Sequence, residues 1–385
     1  MRKVLLAILL FPFFMLFAGT SQAYIGLCCA KCGGNMPMNI PGGGIPETRE
    51  FRFKVSPMFM RMKGLQQDGD GISVDSILGM PAMDKYMAAP TAMDMKMLNL
   101  TLGYSFTERF FGGMMLMYKD DSMNMKFNSN MAMMTGQSGY TMESSGLADT
   151  MLMSKYRLTA DDPLAPTRQT SLFFGVSLPT GSIDERNSNH PVAMRSSELL
   201  PYGMQLGSGT FDPTIGYLYQ GSRSPYWWGV NTMYTARLYD NNRDYRPGNE
   251  LRVDAYGMYQ FAPDMLVQYQ LNLHHQQKIS GEMDVSASGD SGHAVKGDAT
   301  SPYMTPMWDP NNYGGRTAVA TVGLQWQPAP LHIIDFNVGV PVYQKLNGIQ
   351  MEESYRVMLT WYMEIPTRGS VRHPDYRPEG SRLGF

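Results

Sequence analysis

From residue 51 onward the chain alternates apolar and polar side chains with a period of two, and holds that period for ten to thirteen residues at a time. In 250–261, Leu251, Val253, Ala255, Gly257, Tyr259 and Phe261 share one face. Glu250, Arg252, Asp254, Tyr256, Met258 and Gln260 share the other. Period two is the signature of a strand with two different surroundings. The run length narrows the choice. Strands of soluble sheets average about five or six residues, whereas a tilted strand needs about nine to eleven to cross a bilayer. Charged and amide residues recur on the second face, which suits a wet interior rather than a sandwich core.

Twelve segments fit the pattern: 51–62, 95–106, 109–119, 149–158, 170–178, 210–221, 226–239, 249–261, 265–278, 316–327, 332–342 and 354–365. The first is interrupted by Pro57, which lacks a ladder donor. Short connections, such as Thr107-Glu108 and Ala262 to Asp264, alternate with long ones at 63–94, 120–148, 179–209 and 279–315. Aromatic residues collect near segment ends, as at Tyr226-Trp227-Trp228 and Trp361-Tyr362, where a bilayer interface places them. The expected fold is all-β: a transmembrane antiparallel up-and-down β-barrel of about 12 strands. A propeller would need a repeat of forty to fifty residues, and none is visible.

The N-terminus supplies the address. Arg2 and Lys3 precede an apolar run from Val4 to Ala18, and Ser21 and Ala23 offer a small-residue cleavage site before Tyr24. This is a secretory signal-peptide pattern. No later stretch reaches eighteen consecutive apolar residues, so helices do not place the mature chain in a membrane. The organisation expected is a signal peptide (1–23), a flexible Cys/Gly/Pro-rich leader on the periplasmic side (24–50), an outer-membrane β-barrel (51–366) and a polar C-terminal tail (367–385). A formal net charge of −2 provides no basic field for nucleic acid. The expected partners are outer-membrane lipid, the barrel-assembly machinery and a small solute, in a Gram-negative cell.

Two short motifs carry a resemblance. Leu178-Pro179-Thr180-Gly181 ends a strand, and Leu206-Gly207-Ser208-Gly209 follows some thirty residues later. Together they resemble elements of the outer-membrane transporters of the MetA-pathway of phenol degradation, across roughly residues 95–365. That resemblance implies a barrel that moves small, often aromatic, solutes. The Cys-Cys-x-x-Cys leader and the abundance of methionine depart from the family pattern.

The polar face nominates a lumen of mixed charge lined by Arg252, Asp254, Gln268, Gln270, Asn272, His274, Asp335 and Arg356. Mixed charge suits small polar or amphipathic solutes better than a steep ion selectivity. Its opposite is a filled lumen, serving a structural or assembly barrel, in which these groups pair with each other. The 35 methionines, about two-thirds of them before residue 156, invite a further reading. Thioethers and thiolates are soft ligands that favour Cu(I). Met123, Met125, Met131, Met133 and Met134, read as loop residues, with Cys28, Cys29 and Cys32, are the candidate copper ligands. The bland alternative is apolar packing. No nucleophile and base stand at recognisable spacing around His190, His274 or His275, so no enzyme is expected.

Overall fold

The computed structural model describes residues 36–40, 49–80, 85–162, 166–283, 303–370 and 373. The expected signal peptide (1–23), the three cysteines Cys28, Cys29 and Cys32, and nearly all of the tail beyond Ser370 lie outside the described residues.

Twelve antiparallel strands form one closed barrel: β1 (Glu50–Gln67), β2 (Ala88–Ser105), β3 (Phe110–Phe127), β4 (Thr150–Ala160), β5 (Arg168–Leu178), β6 (Asp212–Arg223), β7 (Tyr226–Thr235), β8 (Glu250–Ala262), β9 (Met265–Gln276), β10 (Gly315–Ala329), β11 (His332–Leu346) and β12 (Ile349–Pro366). Each pairs with the next, and β12 pairs back onto β1 from Glu50↔Pro366 to Gln67↔Ile349. Closure leaves no open edge in the apolar layer, where an unpaired backbone group has no water to turn to. Pro57 fits within β1 because Ser56 and Pro57 have no ladder partners on β12.

The alternation sorts side chains as read from the sequence. Leu251, Leu271, Leu273, Val322, Leu324, Phe336, Val338 and Leu359 are exposed on the outer surface. Trp228, Phe261, Trp326 and Trp361 ring the end where the chain enters and leaves the barrel, and Tyr118, Tyr234, Tyr343 and Tyr355 ring the other. Trp326 stands eight residues along β10 from Ala318, the partner of Tyr343. At strand rise and barrel tilt that separation is roughly 20 Å, close to the band of outer-membrane barrels.

Three extensions go beyond expectation, while β7 stops at Thr235 rather than at 239. β1, β2, β3 and β12 each run 18 residues and project beyond the belt. Much of the expected 63–94 and 120–148 loops is therefore strand. Segment Gly139–Leu147 pairs with Tyr118–Lys126 of β3 and leads through Ala148-Asp149 into β4. The chain from 343 to 353 is hairpin rather than loop: β11 and β12 meet at Asn347-Gly348, where Gly348 takes φ 55°, a conformation that costs glycine little. The reason is common to all three. Methionine and charged residues on these extensions weaken the apolar/polar contrast, while inter-strand pairing continues past the bilayer.

The segments 179–211, 236–249, 277–283 and 303–314 pack over the outer mouth. Leu199, Tyr202, Tyr245, Ile279, Met283 and Trp308 form one buried cluster there.

Candidate functional site

The inward face of β7 to β11 carries a connected amide and carboxylate network. Gln268 Nε2 donates to Asp335 Oδ1 (2.7 Å) and Asn337 Oδ1 (2.6 Å), and Asn337 Nδ2 donates to Asp335 Oδ1 (2.9 Å). Asp254 accepts from Asn272 (2.8 Å) and Asn231 (3.3 Å), and Asn272 in turn accepts from Thr321 (2.8 Å). Satisfied networks of this kind are rigid, because each missing partner would leave a costly orphan.

The segment Met36–Ile40 lies inside this network. Met38 N–H donates to Asp335 Oδ2 (2.9 Å), and Asn39 exchanges two 2.9 Å hydrogen bonds with Gln270. Lys54 Nζ donates to the Met38 carbonyl (3.0 Å), and Gln325 Nε2 to that of Met36 (3.1 Å). Met36 and Ile40 are buried against Leu218, Trp227, Tyr256, Met258 and Leu266. Of the expected leader only 36–40, 49 and 50 are described, and 36–40 lie in the lumen near the end with the chain termini rather than outside it on the periplasmic side. Nothing in the local sequence marks them except a short apolar run between glycine-rich stretches. Lys54, Gln325 and Asn337 complete the seat, and the alternation already placed Gln325 on the inward face.

The nominated lumen residues divide by depth. Gln268 and Asp335 are fully buried around the inserted segment, and Asp254 and Gln270 are nearly so. Towards the outer mouth, Arg252 pairs with Glu250, and His274 Nε2 lies 3.1 Å from the same carboxylate. Arg356 forks onto Glu353 (both contacts 2.6 Å). The Arg252 side chain is 47% exposed although it faces inward by register, so the outer half of the lumen admits water.

At the end with the termini, Arg52 bonds Glu364 (3.2 Å), Tyr362 donates to the same carboxylate (2.7 Å), and the Arg52 guanidinium lies over the Tyr362 ring. Thr367 donates from both its N–H and its hydroxyl to the Arg49 carbonyl, and Ser370 bonds Glu50. The start of the polar tail is thus tied to the barrel rim.

The methionine expectation needs correction. Met123 and Met125 are on β3, not on a loop, and are buried on its inward face. Met131 is buried in the short helix Ser129–Thr135, whereas Met133 and Met134 are 84% and 64% exposed on that helix. The five do not form one set: Met123, Met125 and Met131 share a buried cluster, while Met133 and Met134 face solvent on the far side of the helical turn. What does converge was missed: Met58, Met60, Met62, Met93, Met95 and Met97 are cross-strand partners on the inward faces of β1 and β2. Together with Met115, Met117, Met123 and Met142 they give one side of the lumen and mouth a thioether wall.

The two motif segments meet in space. Gly181 packs so tightly on Leu206 and Gly207 that a Cβ at Gly181 would come within 2.8 Å of their backbone. Asp149 clamps both: it accepts from Gly181 N–H (3.0 Å), Ser208 N–H (2.8 Å) and Ser208 Oγ (2.8 Å). Asp212 accepts from Ser208 Oγ and Thr210 Oγ1 (each 2.7 Å) and pairs with Arg237. The motifs are therefore a clasp that holds the long 179–211 loop over the mouth, and Asp149 is its unanticipated centre.

A closed twelve-stranded antiparallel barrel with an apolar belt, two aromatic girdles and a polar, segment-filled lumen is a barrel of the outer-membrane type. The chain belongs to the family described as "Putative MetA-pathway of phenol degradation", whose model matches residues 106–301. Among solved structures it is similar to the COG4313 outer membrane channel from Pseudomonas putida F1, with 12% identity and a TM-score of 0.51 over 86% of this chain and 97% of that one. It also matches a Pseudomonas aeruginosa FadL homologue (10% identity, TM-score 0.39, 91% and 98% covered). A third match is the P. putida toluene transporter TodX (8%, 0.37, 83% and 91%). No curated protein matches the sequence.

Proposed function

We propose that the barrel is an outer-membrane channel for small amphipathic solutes, of which an aromatic ring with one polar group is the type, and that Met36–Ile40 sets its closed state. The observation that carries this reading is the two-sided lumen. Thioethers from β1 to β3 face amides and carboxylates from β7 to β11. Sulfur–aromatic contacts are worth about 0.3–1.5 kcal/mol each, while the amides can take up a hydroxyl that would be costly to desolvate unpaired. The family description, with its reference to phenol degradation, supports the solute class. The reading requires the outer membrane of a Gram-negative cell, reached by a cleaved signal peptide and the barrel-assembly machinery.

Planar-bilayer recording and phenol uptake into proteoliposomes test it. Stable current steps, with phenol entering faster than a sugar of similar size, are the expected result. Silence over many insertions of protein that shows heat-modifiable gel migration would overturn it. That outcome would favour a structural or assembly barrel, the reading to which the fully packed half of the lumen lends weight.

A further inference from the structure

Where β1, β2 and β3 rise above the belt, their inward faces form a grid with segment Gly139–Leu147. The outer row is Met62–Met93–Met123–Met142, each residue the direct cross-strand partner of the next. The row one step closer to the bilayer is Met60–Met95–Asp121–Ser144. Direct partners have Cβ atoms about 4.5–5.5 Å apart, so neighbouring thioethers can reach a common point between them. Met93, Met123 and Met142 are buried in one cluster, against which Met62 and Met95 pack.

Packing alone does not account for this composition. Seven of the fourteen buried residues in that cluster are methionine. A core that needed only apolar volume would draw on leucine, isoleucine and valine, which have better-defined rotamers. The second observation is Asp121. It is fully buried and ion-paired with Lys119 Nζ at 3.1 Å. Its register partner Ser144 has a buried hydroxyl oxygen without a hydrogen bond. A hydroxyl thus sits unsatisfied among thioethers, where it should cost free energy unless something occupies the gap.

We propose that this grid is a binding site for a soft monovalent cation, Cu(I) or its analogue Ag(I). Met93, Met95, Met123 and Met142 supply neutral soft donors, and the Asp121 carboxylate, shared with Lys119, stands in the next row. Thioethers discriminate for soft ions and against Zn(II), Mg(II) and other harder ions. A cavity of about 20 Å³, room for one water-sized body, borders Met142 at the edge of the grid, with Phe127, Met131, Tyr140 and His190 on its other sides. The inference does not depend on conduction through the lumen.

The test uses full-length refolded protein with its three cysteines blocked by N-ethylmaleimide, labelled at the methionine methyls with carbon-13 and titrated with silver nitrate in chloride-free buffer. The methyl signals of Met93, Met123 and Met142 should shift with Ag(I), and none should shift with Zn(II). Met→Leu is close to volume-conserving, so M93L/M123L should keep the barrel but bind Ag(I) more weakly. The expected loss is roughly tenfold to a hundredfold, the range that even outer-sphere changes produce at metal sites. D121N should weaken binding and M133L, on the exposed helix, should not. Unmoved methyl signals in the wild-type protein, or wild-type affinity in folded M93L/M123L, would overturn the proposal. Should the double variant fail to show heat-modifiable migration, the wild-type methyl spectrum decides.

Discussion

Replacing Met36 and Ile40 by alanine together should unseat the inserted segment and raise the open probability of the barrel. The side chains are 1% and 2% exposed where they sit, and burying each is worth about 1.5–3 kcal/mol over leaving it in water. Five hydrogen bonds join the segment to the wall, each adding about 0.5–1.5 kcal/mol net and somewhat more where a charge takes part. Against this stands the ordering of five residues, at about 1–2 kcal/mol of backbone entropy each. The two sides close to within a few kcal/mol, so the segment is held with little margin. M36A/I40A removes about 2–4 kcal/mol of burial, a shift of roughly thirtyfold to several hundredfold in the seated-to-free ratio at about 1.4 kcal/mol per decade. Single-channel recording of refolded wild-type and variant protein reads this directly. Longer and more frequent open events are expected from the variant, with heat-modifiable migration showing that both barrels have formed. Identical open probability and conductance in a properly folded variant would refute the idea that this segment obstructs the lumen.

Other consequences concern the scaffold. Asp149→Ala takes three hydrogen bonds from the clasp and should cost about 2–5 kcal/mol, seen as earlier proteolysis of loop 179–211 with the barrel intact; unchanged cleavage kinetics would contradict the clasp. Val322→Arg places a charge on the lipid face and should destabilise the barrel in vesicles by roughly 2–4 kcal/mol, a loss that urea titration would detect. In the turn after β4, Asp161 accepts from the N–H groups of Asp162, Thr167 and Arg168 and from the Thr167 hydroxyl. The Thr167 hydroxyl bond first, then the backbone N–H groups, hold its carboxyl at about 2 rather than the ordinary 3.8. A lowered value means the turn gains stability above pH about 3.8 and loses it as pH falls through about 2. Amide exchange at Thr167 and Arg168 should therefore stay slow down to about pH 3, after allowance for the intrinsic pH dependence of exchange, and D161A should abolish the protection.

Much of the architecture was legible because a bilayer and a wet lumen impose opposite demands on successive residues. Leu251, Val322 and Leu359 face lipid while Asp254, Gln268 and Asp335 face inward, and period two alone fixes that division. Legibility failed where those demands lapse. Past the belt, Met123 and Met125 resemble loop residues because no lipid contrast frames them, yet the ladder with β2 continues. The lumen positions followed from parity, but their partners did not, since Asp335 and Gln270 are held by a segment about 300 and 230 positions away in the chain.

The sequence by itself determined a strand-crossing chain of twelve segments with assigned inner and outer faces, because side-chain alternation is a local property of the backbone. Only the tertiary structure decided that the lumen is filled by Met36–Ile40, that the two motif turns meet around Asp149, and that scattered methionines form one grid with Asp121. Each of these depends on which strands become neighbours and in what register. Closure of the whole barrel settles that, and no stretch of sequence encodes it alone.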